Sequence, residues 1–120
     1  MADSGTLATT AQVLLAIGAN GSAAQVLIDN TNIWILMAES DMEKASEGKG
    51  LVAKYASITA TYKQWLAAVA SQRAAWYAIN QDPDNWDLAT TQSKLNVIDS
   101  IWQDFLKDIK DKDIIDNMGI

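Results

Sequence analysis

Thirty consecutive residues, Leu51 to Asn80, read LVAKYASITATYKQWLAAVASQRAAWYAIN without a proline or a glycine. Within them Tyr55, Ile58, Tyr62, Trp65, Val69, Trp76 and Ile79 recur at spacings of three and four, with Gln72 as the polar interruption. That period lines large apolar groups along one face of a helix. Nine alanines in the same stretch raise helix propensity and let neighbouring helices approach closely. As one unbroken helix it would extend roughly 45 Å, at least the width of a small domain. The rest of the chain must pack along it or project from it.

The flanking segments supply the packing partners. Thr9 or Thr10 is placed to cap a short helix, AQVLLAIG, that ends at Gly18 before an Asn20-Gly21 break. Val13, Leu14 and Ile17 give it one apolar face. Ser22 is placed to cap a second helix running to about Ser46, with Val26, Leu27, Ile33, Trp34, Met37 and Ala38 as its apolar stripe. Asp29 to Asn32 is poor helix material, because these side chains compete for backbone hydrogen bonds; it reads as a weak solvent-facing turn, or else a buried polar contact. The two glycines of ASEGKG make the turn into the long helix. Pro83, among Asn and Asp residues, closes that helix. Thr90 or Thr91 caps the last one, whose face is Leu95, Ile98, Trp102, Phe105 and Ile109. The pattern predicts an all-α fold: a helical bundle of one short and three long helices over residues 1–112, then an extended C-terminal tail over 113–120.

Length fits one domain. Nine basic against fifteen acidic residues give a net charge of −6, and Arg73 is the sole arginine. Such a chain lacks the electrostatic footprint for gripping phosphate backbones. With no Cys and no His, disulfides, thiolate zinc sites, Cys nucleophiles and His-based mechanisms are excluded. Residues 4–28 are uncharged, but Thr, Ser, Asn, Gln and Gly interrupt them too often for a membrane span, and Asp3 stands where a signal peptide would be basic. A soluble chain without membrane contact is expected.

The densest oxygen cluster is Asp82, Asp84, Asn85 and Asp87. Read as a calcium loop it puts Trp86 at position five, Asp87 at six and Ser93 at twelve, where an acid, a Gly and a Glu are required. A connecting turn fits better. Glu39 and Glu43 lie one helical turn apart, and with Asp41 and Glu47 nearby they read as a solvated face rather than an acid–base pair. No Ser-centred elbow, phosphate-binding loop or dinucleotide fingerprint is present. The expectation is a protein that is not an enzyme, with no metal and no cofactors.

Three residues stand out as a candidate subunit interface. Arg73 reads first as a solvent-facing helix residue, and second as a fork to a carboxylate on another subunit or a plate stacked on Trp76. Trp86 sits in a polar turn, where an indole suggests a subunit or partner contact as an alternative to local loop packing. At the C-terminus, Ile114, Ile115, Met118 and Ile120 either fold back on the domain or are held out for a partner.

The segments NIWILMAES (Asn32 to Ser40), GLVAKYASITATYKQW (Gly50 to Trp65) and TTQSKLNVIDSIWQDFLKDIKDKD resemble small all-helical virion proteins of tailed phages, the head-to-tail connector or adaptor proteins. The resemblance covers about two-thirds of the chain and rests on an Asn-x-Trp-x-x-x-Ala-Glu helix, a Gly-led Ala/Tyr-rich helix and a final Leu-Asn-Val helix. It implies a homo-oligomeric ring of about twelve copies below the portal protein in the virion neck, assembled in the host cytoplasm. The ring would extend the DNA channel towards a downstream tail or stopper protein, with DNA passing through without specific binding. It also implies a portal-docking role for Ile114, Ile115, Met118 and Ile120. The alternative is a small acidic helical binding protein that inhibits a host factor or mimics DNA charge. Carboxylates spread over helix ends and turns weigh against a mimic.

Overall fold

The long helix begins at Ala60, nine residues later than its periodicity predicts. A computed structural model describes residues 5–17, 28–81 and 88–119 of the chain. They form five helices: α1, Thr10–Ile17; α2, Ile28–Ala45; α3, Ala60–Gln81; α4, Leu88–Asp108; and α5, Lys112–Met118. A 3-10 turn, Tyr55–Ser57, precedes α3, and the described residues include no strand. The fold is all-α, as the sequence predicts.

Tertiary partners explain the late start. The backbone N–H groups of Gly50 and Val52 donate to the Glu43 carboxylate at 3.2 and 2.9 Å, and Thr59 N–H donates to the Met118 carbonyl at 3.0 Å. A continuous helix would have kept the Thr59 N–H for itself. Ile58 takes an extended conformation, and the Thr59 carbonyl then accepts from the N–H groups of Tyr62 and Lys63 to open α3. The break folds Leu51 and Ile58 into the core, where both are buried. A helix of roughly 33 Å remains.

Helix α1 carries the cap predicted for it. Thr9 Oγ1 accepts from Gln12 N–H at 3.2 Å, and Gln12 Oε1 accepts from Thr9 N–H at 2.9 Å, a reciprocal capping box. Helix α2 ends through a paired 6→1 and 5→2 arrangement, with Gly48 N–H on the Glu43 carbonyl and Glu47 N–H on the Lys44 carbonyl. The left-handed residue at its exit is Glu47, at φ 60°, with Gly48 and Gly50 following at 78° and 85°. The predicted start of α2, over 22–27, lies outside the described residues.

Two apolar clusters sit side by side, and α3 runs through both. Leu66, Val69 and Ala70 join Leu7, Met42, Leu51, Phe105, Ile109 and Met118 in the first. Ala74, Ala75, Ala78 and Ile79 join Val13, Ile17, Ile35, Ala38 and Ile98 in the second. The core-facing edge of α3 is therefore the row Leu66, Ala70, Ala74 and Ala78, all fully buried. Tyr62, Trp65 and Trp76 are half-buried on the flanks. Alanine on the inner edge lets α1 and α2 approach the α3 backbone closely. Helix α4 buries Ile98 and Phe105, and Ile109 just beyond it, on the face its spacing predicts.

Helix α2 follows expectation only in part. Thr31, Asn32, Trp34, Ile35, Ala38, Glu39 and Met42 are buried, whereas Ile33, Leu36 and Met37 are exposed. Of Asp29 to Asn32, Asp29 faces solvent, whereas Thr31 and Asn32 are buried, as the alternative of a buried polar contact has it. Glu39 is not on a solvated face. Only 4% exposed, it accepts the N–H groups of Thr6 and Leu7 at 2.6 and 2.5 Å and pins residues 5–8 against α2. Gly5 is required there, because a Cβ would overlap Ile35 Cγ2.

The C-terminus also departs from expectation. Residues predicted as an extended tail form α5, capped by Asp111, whose Oδ1 accepts from Asp113 N–H at 2.8 Å. Gly119 closes it in a left-handed conformation, at φ 88°. The fold-back reading of the apolar tail is the one the structure adopts. The radius of gyration is 14.3 Å, against about 13.6 Å for a compact chain of this length.

Candidate functional site

The sole arginine sits in a polar and aromatic cluster that draws on three helices. Arg73 lies on α3 with Trp76 and Tyr77 three and four residues on, so all three side chains emerge on one side of the helix. Arg73 Nε donates to Asp41 Oδ2 on α2 at 3.1 Å, and the Tyr77 hydroxyl donates to the same oxygen. The guanidinium carbon lies 4.5 Å from the ring centres of Trp76 and of Trp102 on α4, and 5.3 Å from that of Tyr77. Arg73 thereby joins α2, α3 and α4.

Burial sharpens these interactions. The Arg73 and Asp41 side chains are 16% and 30% exposed, so their ion pair is screened less than one in open water. Burial first, then the bond to Asp41 and its charge, raise the Tyr77 phenol above its ordinary value of 10; Arg73 opposes this more weakly. Beside the cluster runs a groove of about 390 Å³ whose lining includes Arg73, Trp102, Leu106, Lys44, Lys110 and Glu47. In a chain of net charge −6, this groove gathers three of the nine basic residues. Its three basic side chains face two carboxylates, Asp41 and Glu47, beside the indole of Trp102, so the groove is polar and mixed in charge.

Arg73 is therefore not the solvent-facing residue that the sequence first suggests, and the Trp76 alternative is the one the structure adopts. Its charge is held inside the subunit by Asp41 rather than facing solvent, and its flat face stacks on Trp76, as one alternative proposes. The sequence reasoning missed Asp41, Tyr77 and Trp102. The available signal was the Arg-x-x-Trp-Tyr spacing, but the residues completing the site come from two other helices. Trp86 lies outside the described residues, as do Asp82, Asp84, Asn85 and Asp87. Among the described residues, no group of three or more acidic side chains is arranged to hold a metal ion.

The docking residues separate as well. Met118 is fully buried in the first cluster, Ile114 and Ile115 are half-buried against it, and Ile120 lies outside the described residues. Other large apolar side chains stand open: Ile33, Leu36 and Met37 on α2 are 55%, 46% and 40% exposed, and, separately, Leu15 on α1 is 83% exposed. No helix of the described residues is long and apolar enough to cross a membrane. Comparison with family models, curated protein sequences and solved structures finds no match to this chain.

Proposed function

We propose that this protein is a structural assembly subunit that works as a head-to-tail connector of a tailed phage. Copies form a ring of about twelve below the portal protein and extend the DNA channel towards a tail or stopper protein. The observation that carries the reading is the exposed row Ile33, Leu36 and Met37 on one face of α2. Three large apolar side chains at spacings of three and one are a helix face suited to contact with another chain. The net charge of −6 suits a channel through which DNA slides without sticking. Assembly in the host cytoplasm and residence in the virion neck follow from that role.

Light scattering and negative-stain imaging of the purified protein, with and without a portal ring, test the reading. Rings, or a monomer that assembles once a portal is supplied, support it. A monomer that ignores the portal overturns it. Leu36→Asp should abolish assembly while leaving the helical circular dichroism unchanged, since Leu36 is half in solvent already.

A further inference from the structure

We propose that α5 is an exchangeable element, which in an assembly leaves its own subunit and fills the same seat on a second copy of the chain. The inference rests on the self-association part of the functional reading above and names the contact between neighbours.

Helix α5 is a closed local unit. Asp111 caps its start, Gly119 closes its end, and a connection of three residues, Ile109 to Asp111, joins it to α4. Seven residues are too few to stay helical alone in water, so the element needs a seat, and any copy of the chain offers an identical one.

The seat is specific but narrow. Met118 is the fully buried side chain that α5 contributes. Thr59 clasps the last turn, its N–H on the Met118 carbonyl at 3.0 Å and its Oγ1 on the Asn117 carbonyl at 3.1 Å. The carbonyl end of α5 thus meets the N-terminal end of α3, a favourable dipole arrangement. On either flank the packing is open. A cavity of about 360 Å³ separates Ile115 and Asp116 from Ser46 and Lys49, and one of about 270 Å³ lies between Ile114 and Tyr62. Met118, the half-buried Ile114 and Ile115 beside it, and the Thr59 clasp hold the helix between two surface gaps.

Exchange to a neighbour restores every one of these contacts, so its cost reduces to association and to straightening the connection. Lys110 and Asp111 are exposed; straightening there breaks one backbone bond, from Asp111 N–H to the Asp108 carbonyl, while Ile109 stays anchored in the core.

Two experiments on the full chain test this. Deleting Lys110 shortens the connection while keeping the Asp111 cap, so fold-back is strained and dimers or larger species should replace monomer in light scattering. Separately, Ser57→Cys and Asn117→Cys chains, each with its only thiol exposed, are mixed and oxidised. A disulfide-linked heterodimer at least tenfold above a Ser57→Cys with Asn96→Cys control is expected. A deletion chain that stays monomeric, or a heterodimer at the control level, overturns exchange. If the deletion prevents folding, the disulfide result decides. Rings without the cross-chain disulfide would refute exchange and leave the connector reading standing, whereas exchange dimers that ignore a portal would do the reverse.

Discussion

Arg73 Nε donates to Asp41 Oδ2 across 3.1 Å, and the guanidinium so fixed lies 4.5 Å from two indole rings on two helices. Asp41→Asn keeps the shape and removes the charge that holds the arginine. It should cost about 1.5–3 kcal/mol, the range for a hydrogen bond to a charged group. Arg73→Lys should lose a similar amount, because an ammonium cannot lie flat on Trp76 and Trp102 while also reaching Asp41. Urea denaturation with Trp fluorescence measures both; a loss below about 0.3 kcal/mol for each would reduce the cluster to surface decoration.

Tyr77 gives the cluster a pH signature. Its folded-state value lies above the ordinary 10, so the folded chain holds the phenolic proton more tightly than the unfolded chain does. The resulting stability is fully present below pH 10 and is lost as pH rises through the higher folded value. Melting temperatures between pH 9 and 11.5 should therefore fall more steeply for the native chain than for Tyr77→Phe. Parallel curves would contradict this.

Glu39 ties the N-terminal segment to α2 through two backbone N–H groups. Glu39→Ala should leave those donors without their carboxylate in a buried setting and cost about 1–3 kcal/mol. Amide exchange at Thr6 and Leu7 should accelerate more than at Ala70 or Ala74, which lie in the interior of α3. Uniform acceleration would mean that the segment is held by Leu7 packing alone.

Glu47 sits in the left-handed conformation at the exit of α2, at φ 60°. Glycine is at ease there, so Glu47→Gly should raise stability by about 0.5–1 kcal/mol even though it removes a charge. A lower melting temperature would show that its side chain has a role the backbone geometry does not reveal.

How far the sequence could be read depends on whether each residue answers to local or distant partners. Thr9 and Gln12 are three residues apart and cap α1 as their types predict. Ile98, Phe105 and Ile109 repeat at helical spacing on a helix with one dominant apolar face, and all three are buried. On α2 the same reading is right for Trp34 and Ala38, which are buried, and wrong for Ile33 and Met37, which are exposed, because apolar residues lie on both sides. Ile35 and Met42 are buried with Glu39, whose charge is accommodated only by Thr6 and Leu7, more than thirty residues away. The Arg73 site was half legible, since Trp76 and Tyr77 are its helical neighbours but Asp41 and Trp102 are not.

The sequence by itself determined the helical class, since periodicity, alanine content and cap residues act within a few residues of chain. Only the tertiary structure decided where the long helix begins, which face of α2 is buried and where the C-terminus goes. Thr59 could have continued a helix upstream; it gives its N–H to Met118 instead, and that bond exists only once the end of α5 meets the start of α3. Propensity is a sum over neighbours in sequence and differs little between such alternatives. The burial of Leu51, Ile58 and Met118 is a sum over neighbours in space, large enough to settle them.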